Sequence, residues 1–190
     1  PRMKNTVAIA SLLRAVNLLG HGRVSMKDLR QLYESCGFQD VTTCLQSGNV
    51  VFRTVPIPPT ELAATIEAAC LEKLGVTTRV MLRTPDQWAE ILRSTHFLQE
   101  REQRPSHVLV FFLSAQPEPS AFEALRESYK GPEKFHLSGT ELFVDYCEGI
   151  ARSKLTSNLL EKKLGVAGTA RNWNTVKKVH QLLEGLRTAP

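Results

Sequence analysis

Twice along this chain the hydrophobic pattern passes through the same series of periods, and that order limits the fold more than any other feature. The series begins with a continuous apolar run at Val7–Leu13, which suits a strand in the middle of a sheet. Gly20-His21-Gly22 marks a loop, Ser25 is placed to cap a helix carrying Met26, Leu29, Leu32 and Tyr33 at helical spacing, and Gly37 ends it. Residues 41–46 and 50–53 flank Ser47-Gly48-Asn49 and read as a hairpin. Beyond Pro56-Ile57-Pro58-Pro59, Thr60 caps a helix with Leu62, Ile66, Ala69, Cys70 and Leu74 on one stripe and Gly75 at its end. Residues 77–83 read as a fourth strand. The order β-α-β-β-α-β is that of the split βαβ, or ferredoxin-like, unit.

The same order returns from residue 107. An apolar strand at 107–113 precedes a helix at 119–129 with Phe122, Leu125 and Tyr129 in register. Residues 134–137 and 141–146 pair around Ser138-Gly139-Thr140. A helix from Ser153 carries Leu155, Leu159, Leu160 and Leu164, Gly165 ends it, and 166–171 form a short last strand. Two helices are extra: one opened by Thr84-Pro85-Asp86 with Trp88, Ile91 and Leu92, and a final one from about Trp173 with Val176, Val179, Leu183 and Leu186. The expected fold is α+β, with two tandem ferredoxin-like lobes, antiparallel sheets and added helices. The first lobe is 1–84, a connecting helix and polar linker fill 85–105, and 106–190 form the second lobe with basic C-terminal helices.

Composition excludes several classes. No apolar stretch approaches the roughly 20 residues that span a bilayer. Arg2 and Lys4 before Val7–Leu13 imitate a signal peptide, but Arg14 stops the run, so a buried strand is the better reading and no membrane partner is expected. Cysteines at 36, 44, 70 and 147 form no C-x-x-C pair, and the histidines at 21, 96, 107, 136 and 180 are scattered. This pattern fits a reducing, cytoplasmic setting with no structural metal. There is no G-x-S-x-G, P-loop, G-x-G-x-x-G or H-E-x-x-H, so no cofactor is expected and an enzymatic role stays open.

Charge is unevenly spread. Residues 152–190 hold eight Lys or Arg against two acids, whereas 1–151 hold sixteen against seventeen. The whole positive excess lies in the last fifth of the chain, where it suits either an anionic partner or a solvated helix face.

Four segments resemble the family called domain of unknown function 1697. Leu13-Arg14-Ala15-Val16-Asn17-Leu18-Leu19-Gly20 is similar to its R-G-I-N-V-G-G segment, and Gln46-Ser47-Gly48-Asn49-Val50 to its Q-S-G-N-V hairpin. Gly149-Ile150-Ala151-Arg152-Ser153-Lys154-Leu155 is similar to its G-x-x-x-S-K-L stretch, and Thr169-Ala170-Arg171-Asn172-Trp173-Asn174-Thr175 to its T-x-R-N-W-N-T segment. Ala15 and Leu19 replace glycines of that pattern, and Thr95-His96-Phe97 stands where the family often has N-P-F. The resemblance implies tandem ferredoxin-like lobes and a mostly bacterial, cytosolic setting; it implies no activity.

The most suggestive residues are Arg152, Ser153 and Lys154. With Ser153 as an N-cap, two cations would flank a helix N-terminus, where acids are ordinarily favoured and where an anion binds well. The competing reading pairs them with Glu148 or Asp145. Arg171, Asn172 and Trp173 repeat the theme: Asn172 or Asn174 can cap the last helix, and Trp173 either offers a stacking plane or plugs the interface between lobes. Arg14 and Asn17 follow the first strand, where a charged residue often lies at a cleft edge, and they join the site if the lobes bring them to it. Ser47-Gly48-Asn49 reads as a turn, and Cys147, near the basic stretch, has no identifiable histidine partner for nucleophilic work.

Three functions follow. The first is binding of a phosphate-bearing small ligand, nucleotide-like, in a basic cleft between lobes. The second is single-stranded nucleic-acid binding, for which the sheet aromatics on offer are Phe52, Phe111, Phe112 and Phe143. The third is a scaffold without a small ligand.

Overall fold

The apolar run of β1 (Val7–Leu13) takes the mid-sheet place that its composition requires, with a strand hydrogen-bonded on each side. The structure, a computed structural model, describes residues 5–14, 24–45 and 47–188. Ser25 Oγ accepts the Asp28 N–H at 3.0 Å and starts α1 (Met26–Ser35), whose Leu29, Leu32 and Tyr33 are buried. β2 (Gln39–Cys44) and β3 (Asn49–Thr54) form the hairpin, with a slip of register in β2 between Gln39 and Thr42. Buried Asn49 closes the turn: its Nδ2 donates to the Cys44 carbonyl and to Ser47 Oγ, both at 2.8 Å. Gln46 lies outside the described residues.

α2 (Pro59–Leu74) begins differently from the sequence expectation. Pro58 is the N-cap and Pro59 fills the first turn, so Thr60 lies inside the helix and no side chain caps it. Gly75, at φ +65°, ends it in the left-handed region that favours glycine. β4 (Val80–Arg83) completes a sheet of order β2-β3-β1-β4, antiparallel at every pairing. One face of this sheet buries Leu13, Val50, Phe52 and Val80 against Leu29, Leu32, Leu62 and Ile66. Ser11 Oγ and the Tyr33 hydroxyl satisfy each other within that layer at 2.7 Å. In α3 (Pro85–Arg93), Thr84 and Gln87 form a reciprocal cap: Gln87 N–H donates to Thr84 Oγ1 at 3.2 Å, and Thr84 N–H to Gln87 Oε1 at 2.8 Å.

The polar stretch expected to be linker contains a helix, α4 (Leu98–Gln103). Its charge pattern hides one inward position, Arg101, the single buried residue of the element. A 3-10 turn at Pro105–His107 leads into β5 (Val108–Leu113), buried along its whole length. Then follow α5 (Pro119–Ser128), β6 (Lys134–Ser138), β7 (Glu141–Asp145), α6 (Ser157–Leu164), β8 (Gly168–Asn172) and α7 (Trp173–Thr188). The second sheet has order β6-β7-β5-β8, the order of the first repeated, and is likewise antiparallel. Leu109, Phe111 and Leu113 of β5 pack with Leu125, Leu142, Val144, Leu155 and Leu160. The architecture is thus α+β, with two four-stranded antiparallel sheets and seven α-helices among the described residues.

The chain forms two compact units, Pro1–Leu92 with Lys177–Pro190, and Arg93–Val176. α3, as far as Leu92, falls in the first unit and α4 in the second, so the boundary lies within the stretch 85–105 that the sequence reads as a connecting helix and linker. The later part of α7 belongs to the first unit, where the sequence placed all basic C-terminal helices in the second lobe. Two contacts hold it there: Arg53 Nη1 donates to the Leu186 carbonyl, and Arg187 pairs with Asp86 at 2.8 Å.

Candidate functional site

The turn from β7 toward α6 carries the strongest cluster. α6 begins at Ser157 with Thr156 as its N-cap, Thr156 Oγ1 accepting the Leu159 N–H at 3.2 Å. Ser153 is thus not the N-cap expected of it, and Arg152 and Lys154 do not stand in a helix's first turn. Thr156 prevails because its hydroxyl reaches the N–H three residues on, the relation a cap requires. Ser153 Oγ instead accepts the Leu155 N–H at 3.0 Å and donates to Glu133 Oε1.

Glu133 anchors this region. The Tyr129 hydroxyl donates to its Oε2 at 2.5 Å, so two hydroxyls hold one carboxylate that is only 8% exposed. Gly131 leaves room for this arrangement: a β-carbon there would stand 2.2 Å from the Tyr129 hydroxyl and 2.6 Å from Glu133 Oε2, so a larger residue would displace those side-chain ends. Burial raises the Glu133 pKa, but the hydrogen bonds from Ser153, Tyr129 and the backbone outweigh it and hold the group below its usual 4.5. Tyr129 is pushed up to about 12 by burial and by the hydrogen bond to Glu133.

A hollow of about 200 Å³ opens beside these groups, walled by Tyr129, Pro132, Glu133, Gly149, Arg152 and Lys154, with Ser153 and Glu148 also lining it. Arg152 and Lys154 are exposed, and neither has an ion pair or side-chain hydrogen bond among the described residues. Asp145, one of the acids that sequence offered as their partner, is buried and bound to Arg104 at 2.7 Å. Cys147 lies nearby, its Sγ 3.5 Å from the Pro132 carbonyl.

Because the native Glu133 binds its proton less readily than an unfolded glutamate, its contribution is present above 4.5 and lost as pH falls through the lower native value. The melting temperature of the wild type should therefore fall faster than that of Glu133→Gln as pH is taken from neutral to about 3. Parallel curves would show that the Glu133 carboxylate does not stabilise the native state.

Arg171, Asn172 and Trp173 are arranged differently. Asn172 Oδ1 accepts the Thr175 N–H at 3.0 Å and caps α7, as one reading of the sequence had it. Arg171 is buried, its Nη1 donating to Thr169 Oγ1 at 2.6 Å and to the Ala170 carbonyl at 2.8 Å, and burial lowers it to about 10. Trp173 is buried, and the Arg101 guanidinium lies 3.8 Å from its ring centroid, with the Phe143 ring at 5.4 Å from the same group. Its stacking plane is therefore occupied from within the unit. None of these three lines the hollow of Arg152 and Lys154.

Arg14 is half-buried in the first unit; its N–H donates to the Arg79 carbonyl at 2.9 Å, and its own carbonyl accepts from Thr78 Oγ1 at 2.8 Å. Asn17 lies outside the described residues. Sequence reasoning missed Tyr129, Glu133 and Arg101. Glu133 follows Gly131-Pro132 and reads as a solvated loop acid, and Arg101 sits among charged neighbours. His96 stacks on His136 with centroids 3.9 Å apart. Burial, His136 and Arg101 together lower its pKa. Among the described residues no group of three or more His, Cys, Asp or Glu stands ready to hold a metal, and no helix is long and apolar enough to cross a membrane.

The chain is similar to the solved structure of a conserved bacterial protein, SP0830, from Streptococcus pneumoniae. That similarity has a TM-score of 0.74 and 19% identity over 94% of this chain and 99% of the other. At that identity the likeness speaks for the fold alone. No curated protein matches the sequence. Residues 3–143 match the family described as protein of unknown function DUF1697, and the chain belongs to that family.

Proposed function

We propose that this protein binds a phosphate-bearing small molecule in the hollow of its second unit, with Arg152 and Lys154 as the charged contacts. The observation that carries this reading is that both cations line one concavity and neither has a partner among the described residues. Guanidinium and ammonium groups bind phosphate oxygens by charge-assisted hydrogen bonds. Ser153, pinned by Glu133 and the Leu155 N–H, sits between them on the same wall. Arg171 and Trp173 support the reading least, because their polar and stacking capacity is used internally; Arg14 does not line this hollow, and Asn17 lies outside the described residues.

Millimolar phosphate or a mononucleotide should raise the melting temperature by a few degrees, as any ligand selective for the native state does. The double variant Arg152→Ala, Lys154→Ala should lose that response. A melting temperature indifferent to both ligands, or an unchanged response in the double variant, would show the site is misplaced.

A second reading, single-stranded nucleic-acid binding, rests on the basic end of the chain. It needs exposed sheet aromatics, whereas Phe52, Phe111, Phe112 and Phe143 are all buried. A scaffold role without a small ligand leaves the two unpartnered cations unexplained. We propose also that each unit is a ferredoxin-like lobe, which its element order and its strand order support. A bacterial, cytoplasmic setting is in keeping with four free cysteines and with the likeness to the streptococcal protein.

A further inference from the structure

We infer that the first unit carries a separate small-molecule site, which takes an alkyl or aryl monocarboxylate. The strands and helices of that unit leave a cavity of about 530 Å³ where β1 begins, β3 and β4 end, and α2 and α3 start. Ligand sites for small organic molecules occupy about 300–1,000 Å³ and are walled mainly by apolar groups with a few polar ones. This cavity fits that description: Val7, Ala8, Ile57, Leu62 and Pro85 contribute apolar wall, and Val7 is 41% exposed although it is a large aliphatic residue.

Its polar groups select the ligand's charge. Two arginines, Arg53 and Arg187, line the cavity against one carboxylate, Asp86, so the walls carry a net positive charge. Arg187 is already neutralised, by Asp86 at 2.8 Å and Glu184 at 3.3 Å. Arg53 is not: it is half-buried, and all its partners are uncharged oxygens, namely Thr6 Oγ1 at 2.8 Å, the Thr6 carbonyl at 3.3 Å and the Leu186 carbonyl. A guanidinium has five N–H donors. Three are used here, which leaves two on a cation that has no counter-ion among the described residues. One negative charge completes the site; a second would face Asp86. An apolar body with a single carboxylate satisfies both the wall and the charge.

The test uses the full chain with octanoate and 3-phenylpropionate as probes and the matching alcohols as neutral controls. Millimolar carboxylate should raise the melting temperature by several degrees, and the alcohols should not. Amide chemical shifts of the wild type should move at Thr6, Ile57 and Thr84 on addition of octanoate. Ile57→Trp, which fills the cavity, should abolish the response while circular dichroism stays native. Arg53→Met should remove the preference for carboxylate over alcohol. The inference is overturned if octanoate has no effect, if octanol stabilises equally, if shifts fall elsewhere, or if Ile57→Trp still responds. Phosphate binding at Arg152 and Lys154 is read separately, so either site can fail without the other.

Discussion

Replacing Trp173 by alanine is expected to destabilise the second unit by about 4 kcal/mol, within the range for truncating a buried aromatic. The cost has two sources. The ring is 6% exposed, so its removal leaves a cavity in a packed region. The ring face is also what stabilises the buried charge of Arg101. That guanidinium is 3.8 Å from the Trp173 centroid, donates to the Ser94 carbonyl at 2.8 Å and to Ser94 Oγ at 2.6 Å, and keeps its Nε without a hydrogen-bond partner. Burial lowers Arg101 to about 10, and no carboxylate pairs with it among the described residues. A desolvated cation–π contact contributes about 2 kcal/mol.

Arg101→Met should cost much less, since apolar replacement of a buried charge is often near neutral. In the Arg101→Met background, Trp173→Ala should then lose about 2 kcal/mol of its effect, the coupling that a double-mutant cycle isolates. Urea denaturation followed by circular dichroism measures all four proteins. An identical Trp173→Ala cost in both backgrounds would show that packing alone, and not the guanidinium, explains the ring's burial.

In the first unit, Phe52→Ala should cost about 3–5 kcal/mol. Phe52 is fully buried, stacks on Phe38 with centroids 4.5 Å apart, and meets Tyr33 edge-on at 5.3 Å. Such aromatic pairs add about 0.5–1.5 kcal/mol beyond area burial. Phe52→Leu, which keeps most of the volume, should cost less than about 1.5 kcal/mol. Equilibrium unfolding distinguishes the two variants. A Phe52→Ala loss below about 1 kcal/mol would mean that the site collapses readily and that Phe52 is not the keystone of this layer. The result bears on function too, because a phenylalanine that holds helices to the sheet is not available to stack on a base.

Much of the fold is legible in the residues. Val7–Leu13 is apolar without interruption and becomes the strand flanked on both sides. Ser25 and Gly37 bracket α1, and Gly165 closes α6 as read. Asn49 lies where a turn was expected and holds it with its own amide. Misreadings occur where a local rule had two competing candidates. Ser153 and Thr156 both precede the same apolar stripe, and either hydroxyl can cap; the chain's path past Glu133 commits Ser153 elsewhere. Residues 98–103 look like solvated linker because only one of six faces inward, and that one is an arginine.

The candidate site divides along the same line. Arg152, Ser153 and Lys154 are visible as a cationic motif, since adjacency in the chain keeps them adjacent in space. The buried carboxylate beneath them comes from a loop 20 residues away, and no pattern in the chain links Glu133 to Ser153. Arg171 and Trp173, equally prominent in the sequence, turn inward.

The amino-acid order alone determined the elements, their succession and the location of the positive charge, because these depend on neighbours within a few residues, where periodicity, caps and turns act. Only the tertiary structure decided which charges face solvent and which meet a ring or a carboxylate, and that the last helix ends on the first unit. Such pairings are set by desolvation and packing between segments far apart in the chain, and local pattern carries no record of them.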